Sequence, residues 1–158
     1  METTIKGGNL MVFAGQDVNG SLYQPKSIPL ATSHTLRISA ETEDVSHKDL
    51  SSSLWAANDV GKYSWEATTD NLYSNNGIDW LFECMTAQYM MRVYFAPKTE
   101  ADGTALPSGG SWTPDTDAGF EGWAYITSLE VTAQNGENAT FSATFTGIGE
   151  LESNYPTT

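Results

Sequence analysis

The stretch "GWAYITSLEVTAQNGENATFSATFTGIG", residues 122–149, decides the fold. In its second half Phe141, Ala143 and Phe145 fall on one side, and Thr140, Ser142, Thr144 and Thr146 on the other. That alternation has the two-residue period of a half-buried strand. The first half repeats the pattern, with Ser128, Glu130 and Thr132 on its polar side. Asn135-Gly136 between them is a strong short hairpin signal. A hairpin with one apolar face must bury that face under something else.

Working outward, "GKYSWEATTD", residues 61–70, places Tyr63, Trp65, Ala67 and Thr69 opposite Ser64, Glu66, Thr68 and Asp70. "HTLRISAETE", residues 34–43, places Leu36, Ile38 and Ala40 opposite Arg37, Ser39, Glu41 and Glu43. Short apolar strands are expected at 10–14 and 89–96. One helix stands out in "NNGIDWLFECMTAQ", residues 75–88, where Ile78, Leu81, Phe82 and Met85 follow the i, i+3, i+4, i+7 stripe. Asn76 or Gly77 can start it, and Asp79 suits its first turn. About six strands and one helix predict a mainly β protein, a β-sandwich or barrel of antiparallel strands with one flanking α-helix.

With 158 residues, the chain fits one domain with a sizeable core. The organisation expected is an arm over 1–9, a single β domain over 10–149 and a polar tail over 150–158. Long loops are expected at 46–60 and 97–120. The second holds three prolines, four glycines and four acids, which argues against regular structure. Seven basic against twenty acidic residues give a net charge of −13, which excludes a general electrostatic attraction for phosphate or anionic lipid. Five Trp, seven Tyr and six Phe supply core material that a disordered acidic chain lacks. A lone Cys84 excludes an internal disulfide and a cysteine-only zinc site. The start "METTIKGGNLMVFAG" has no basic region followed by a long apolar run, so neither a secretory leader nor a membrane span is expected there.

Candidate chemistry is thin. His34 and His47 are the only histidine bases, and Ser51–Ser53 sit in a loop without a nucleophile-elbow context. Glu41/Glu43 and Asp115/Asp117 are read as a polar strand face and an acidic loop before glycosidase pairs. "DTDAG", residues 115–119, departs from the EF-hand pattern, with glycine fifth instead of sixth and no Glu at the twelfth position. Asn138-Ala139-Thr140 matters only in a secretory pathway. Gly147-Ile148-Gly149 is too short for a nucleotide fingerprint. Cys84 reads as a small buried residue. No catalytic residue, metal or cofactor is expected. Trp55, Trp112 and Trp123 in or beside loops keep a carbohydrate-binding β-sandwich open as an alternative, while Trp65 and Trp80 read as core.

The outward strand faces are unusually uniform. Ser64, Glu66 and Thr68; Ser128, Glu130 and Thr132; and Thr140, Ser142, Thr144 and Thr146 are all short hydroxyls or carboxylates. A solvated sheet face ordinarily mixes charge signs and longer side chains. Either this is such a face, or it is a surface that does not adhere to a polyanion.

A resemblance then becomes specific. "LATSHTLRISAETEDVSHKDLSSSLWAANDVGKYSWEATTDNLYS" resembles the major tail tube proteins of phages with long, non-contractile tails. Their "HxLxIxAExxDVTxKD" strand leads to a loop, a "GxxSWxxxxxxL" strand and a helix. The closing "FTGIGEL" resembles the family's "FTGxGxL". The likeness spans residues 8–151 in order. It implies hexameric rings stacked into a hollow tube with double-stranded DNA passing through as a non-adhering passenger. It also implies partnership with itself and other tail proteins, synthesis in the host cytoplasm, a place in the virion tail, and no enzymatic activity. A tail terminator or baseplate subunit is the related alternative. Under that resemblance the lumen candidates are Glu66, Thr68, Glu130, Thr132, Ser142 and Thr144. The ring-contact candidates are Lys48, Asp49, Leu54 and Trp55, since an exposed Leu-Trp pair in a polar loop suits a buried anchor.

Overall fold

A computed structural model describes residues 5–18, 21–22, 25–28, 30–44, 58–101, 103–106 and 111–156. A 3-10 turn over Gly7–Asn9 precedes eight strands and one helix. The strands are β1 (Leu10–Val18), β2 (Ser21–Leu22), β3 (Lys26–Ser27), β4 (Ala31–Asp44), β5 (Asn58–Leu72), β6 (Met90–Pro97), β7 (Phe120–Thr132) and β8 (Thr140–Ser153). The helix α1 spans Asn75–Thr86, between β5 and β6. The six expected strands are all present, most of them longer and β6 of the expected length but shifted by one residue, and β2 and β3 are two-residue additions on β1.

All strands belong to one antiparallel sheet in the order β2-β1-β6-β7-β8-β5-β4. The hairpin that opened the sequence reading therefore lies at its centre. The sheet curls until β1 and β4 touch. No rung joins β1 to β4 among the described residues, so the curled sheet keeps a seam.

One face of the sheet and the helix enclose the core. Val12, Ala14, Met91, Val93, Ala124, Ile126, Phe141, Ala143, Phe145, Trp65 and Ala67 project into it from five strands, with Leu81 and Cys84 from α1. Alanines at 14, 67, 124 and 143 alternate with these larger side chains, which lets the helix and the indole of Trp65 approach the sheet closely. Trp65 lies on the main chain of its neighbours. A Cβ at Gly122 would come 2.6 Å from its ring, and one at Gly147 would collide with its Cε2 and Nε1. Gly147 is thus a packing residue, which explains the glycine in "FTGIG".

The helix differs from its expected form in three respects. It starts at Asn75, with Ser74 as the cap whose Oγ accepts from Gly77 N–H at 3.3 Å. That start moves Asp79 beyond the first turn, which carries no acid. The buried stripe is rotated: Leu81 and Cys84 are 0% and 1% exposed, whereas Phe82 is 58% exposed. Ile78 and Met85 flank the core as expected, but Cys84 occupies the place assigned to Phe82. Cys84 Sγ and Trp80 Nε1 both donate to Gln16 Oε1, at 3.0 and 2.7 Å, tying helix to β1. Gln88, with φ 59°, then turns the chain out of the helix.

Two strand residues also depart from expectation. Tyr63 keeps the parity of Trp65 but is 74% exposed, and Ile38 on β4 is 54% exposed. Tyr63 sits where β5 extends past the core, and Ile38, opposite Trp65, sits on the edge strand β4. The β7–β8 connection is wider than a two-residue turn: Glu137 N–H donates to Gln134 C=O at 3.2 Å. Gly136 has φ 83° while Asn135 keeps a negative φ, the signature of a type II turn.

Loop 97–120 has an ordered neck. Lys98 bridges Pro114, Thr99 N–H donates to Thr113 C=O at 2.8 Å, and Asp115 N–H to Pro97 C=O at 2.8 Å. Ser27 N–H donates to Ser111 Oγ and Trp112 N–H to Ser27 Oγ, both at 3.0 Å, which fastens the neck to β3.

Two outcomes follow for denaturant unfolding. Leu81→Ala is expected to cost about 2–5 kcal/mol, and Phe82→Ala to stay within about 0.5 kcal/mol; equal losses would contradict the helix orientation. Gly147→Ala forces overpacking against Trp65 and is expected to cost about 1–3 kcal/mol, whereas Gly7→Ala, with open space around its Cβ, is expected to be near neutral.

Candidate functional site

The register of four neighbouring strands builds a polar face on the side of the sheet away from the core. One rung runs Arg37–Glu66–Thr146–Tyr125 across β4, β5, β8 and β7. The next runs Thr35–Thr68–Thr144–Ser128, and the third Ser33–Asp70–Ser142–Glu130. A last rung pairs Leu72 with Thr140 and Thr132. All six residues named as lumen candidates, Glu66, Thr68, Glu130, Thr132, Ser142 and Thr144, therefore share this one face. The strand alternation made that legible, because residues of one parity stay together when strands pair in register.

The face holds more than those six. Asp70 stands opposite Ser142 and so flanks it together with Glu130. Thr127, at a β-bulge, has its Oγ1 2.7 Å from that of Thr146. Arg37 brings one cation to the face, directly across from Glu66. The stretches 64–68, 128–132 and 140–146 lack Lys and Arg, but β4 supplies Arg37 and β5 itself supplies Lys62, which shares the parity of Ser64 and Glu66; the alternation of 34–43 already set Arg37 on the polar side.

Other cations are engaged elsewhere. Arg92 Nη2 makes ion pairs with Glu121 at 2.9 Å and Glu152 at 3.2 Å, and its guanidinium lies 5.1 Å from the Trp123 ring. Lys98 Nζ sits 3.9 Å over Trp112, and Lys26 Nζ 5.7 Å from Trp80. Trp112 and Trp123 thus each present a ring already met by a cation, which disfavours them as sugar-stacking platforms. Trp65 and Trp80 pack in or against the core, as their sequence context suggested.

A groove of about 660 Å³ opens beyond the core, lined by Ile38, Tyr63, Trp65, Phe120 and Leu151. It lies on the β4–β5 arm and the ends of β7 and β8. On the outer side of α1, Phe82 and Tyr73 form a second exposed apolar area. The ring-contact candidates Lys48, Asp49, Leu54 and Trp55 lie outside the described residues, as do His47 and Ser51–Ser53.

The groups weighed for chemistry are dispersed. His34 is on the core side of β4 at the seam, and burial lowers its pKa against an opposing pull from Asp70. Burial, reinforced by Glu83, pushes the Cys84 thiol up to about 11, so the thiol stays protonated at neutral pH. Asp115 accepts the Asp117 N–H at 3.0 Å, turning the acidic motif into a local Asx turn. Among the described residues no group of three or more His, Cys, Asp or Glu could hold a metal ion. Among them, too, no helix is long and apolar enough to cross a membrane.

The fold has close counterparts. A gene transfer agent tail, determined with helical refinement and C6 symmetry, superposes with TM-score 0.62 at 17% identity, covering 95% of this chain and 98% of that one. The virion of a native gene transfer agent gives TM-score 0.63 at 13% identity, with the same coverage of 95% and 98%. The SPP1 tail tube, solved by solid-state NMR and cryo-EM, gives TM-score 0.63 at 11% identity over 97% of this chain and 81% of that one. The sequence matches no curated relative at a significant level. The family model for phage tail tube proteins matches residues 10–153, and the chain belongs to that family.

Proposed function

We propose that six copies of this tail tube protein close into a ring, that rings stack into the tube, and that the polar face of β4, β5, β8 and β7 lines the channel through which double-stranded DNA leaves. The observation that carries this reading is the gathering of Glu66, Asp70, Glu130 and eight or so hydroxyls onto neighbouring strands in a family of tube-forming proteins. The C6 symmetry of the gene transfer agent tail supports six as the ring number.

The electrostatics suit a passage more than a binding site. Each phosphate held by a Lys or Arg releases counterions and gains affinity, so a cationic lining would hold the DNA. Hydroxyls and carboxylates give repulsion and weak hydrogen bonding instead. Arg37, opposite Glu66, has its charge locally balanced, and Arg92 is occupied by two carboxylates. The 14-residue edge strand β4 would otherwise be a template for uncontrolled pairing, and an adjoining subunit in a ring covers it. Lys48, Asp49, Leu54 and Trp55 are proposed as stacking contacts between rings. The groove beside Tyr63 and Ile38 offers apolar area to the same assembly. The arm over 1–9 and the tail over 150–158, whose first four residues complete β8, add inter-ring contacts. The protein needs no cofactor and performs no chemistry. It is made in the host cytoplasm, meets the other tail proteins there, and ends in the virion tail.

Negative-stain micrographs of the purified protein at raised concentration are expected to show rings or tubes. Glu66→Lys and Glu130→Lys are expected to leave tubes intact and slow DNA ejection; unchanged ejection kinetics in both would strike them from the lumen. Trp55→Ala is expected to remove about 2 kcal/mol or more from each ring contact and shorten or destabilise tubes. Full-length tubes of wild-type stability from that variant would refute the anchor role.

A further inference from the structure

Two Asn-Gly dipeptides lie among the described residues, in opposite settings. Asn76-Gly77 is in the first turn of α1, where Gly77 is buried and its N–H donates to Ser74 Oγ at 3.3 Å. Asn135-Gly136 is in the β7–β8 turn, and both residues are exposed. The turn is closed by Glu137 N–H on Gln134 C=O, and no acceptor among the described residues engages the N–H of Gly136. A Cβ at Gly136 would meet nothing within 4 Å, so space around the dipeptide is open.

We propose that Asn135 is a site of spontaneous deamidation, converting with time to aspartate and isoaspartate, while Asn76 is protected by the fold. The Gly136 amide nitrogen gives its proton to solvent base and attacks Cγ of Asn135. The new N–C bond closes a five-membered succinimide, and the bond from Cγ to the side-chain nitrogen breaks. That nitrogen leaves as ammonia with the proton returned from solvent. Water then opens the imide at either carbonyl, giving aspartate or, by passing the main chain through Cγ, isoaspartate. Water is consumed, ammonia is released, and no electrons are transferred. A glycine after the asparagine favours the reaction because it puts no side chain in the way of the ring closure. At Gly77 the same nitrogen must first break its hydrogen bond and leave the helix turn, so its reactive form is a minor, locally opened population.

Each conversion adds one negative charge to a chain already at −13. The isoaspartate product also lengthens the main chain by a methylene at the tip of the central hairpin. The assignment does not depend on the tube reading.

The test is peptide mass mapping of the folded protein held in mildly alkaline buffer at physiological temperature, with ammonia release and an isoaspartate methyl-acceptance assay followed in parallel. The Asn135 peptide is expected to gain the mass of an acid over an amide, about tenfold or more faster than the Asn76 peptide. In the urea-unfolded chain the two rates are expected to converge, because the hydrogen bond and the helix are gone. Asn135→Gln, which must form a larger ring, is expected to lose the signal from its peptide. Conversion at Asn76 equal to or faster than at Asn135 in the folded protein would overturn the proposal. So would an unmodified Asn135 in the fold under conditions that convert it in urea.

Discussion

The fold depends on a flat contact: the indole of Trp65 on β5 rests on the bare backbones of Gly147 on β8 and Gly122 on β7. One side chain thereby spans three strands, and the sheet bends around it. Two glycines without side chains are needed to admit it, and the alanines at 67, 124 and 143 keep the adjoining core shallow. Helix α1 can then settle on the same face through Leu81 and Cys84. The arrangement has a cost, since Trp65 Nε1 is buried without an acceptor among the described residues, worth about 1–3 kcal/mol against the fold. The apolar area of a nearly buried indole more than offsets this.

With the core confined to one side, the other side of the same strands is free to be chemically uniform. Strand period ties the two faces together: every residue between two core residues must point outward. Phe141, Ala143 and Phe145 thus dictate where Ser142 and Thr144 stand, and Trp65 and Ala67 dictate Glu66. The face is a by-product in position but not in composition, because nothing in the fold requires hydroxyls and carboxylates there.

Much of this was legible before any coordinates. Alternation placed residues 140–146 and 64–70 on the correct faces, and the family resemblance carried through to a family match over residues 10–153. The failures share a physical origin. Phe82 and Cys84 lie on opposite flanks of a helix stripe, and hydrophobicity favours phenylalanine, but the Gln16 hydrogen bonds to Cys84 and Trp80 rotate the helix toward the smaller residue. Tyr63 obeys the parity of buried neighbours yet lies beyond the end of the core, and Ile38 does so on the edge strand β4, opposite Trp65; period carries no information on where a core stops. Alternation set Arg37 on the polar side of its own strand, but its place opposite Glu66 comes from strand pairing, which a single strand does not specify. The fastening of loop 97–120 by Ser27 and Ser111 joins residues far apart in the chain and left no local signal.

That fastened neck separates the length of the loop from the integrity of the fold. Lys98, Thr99, Thr113, Pro114 and Asp115 close it at the base, so the exposed segment 103–106 can change without pulling on β6 or β7. Lengthening a closed loop is thermodynamically cheap, about 0.6 kcal/mol per doubling. The protein therefore has a built-in graft position, where a peptide or a small folded domain could be carried once per subunit along any assembly the chain forms.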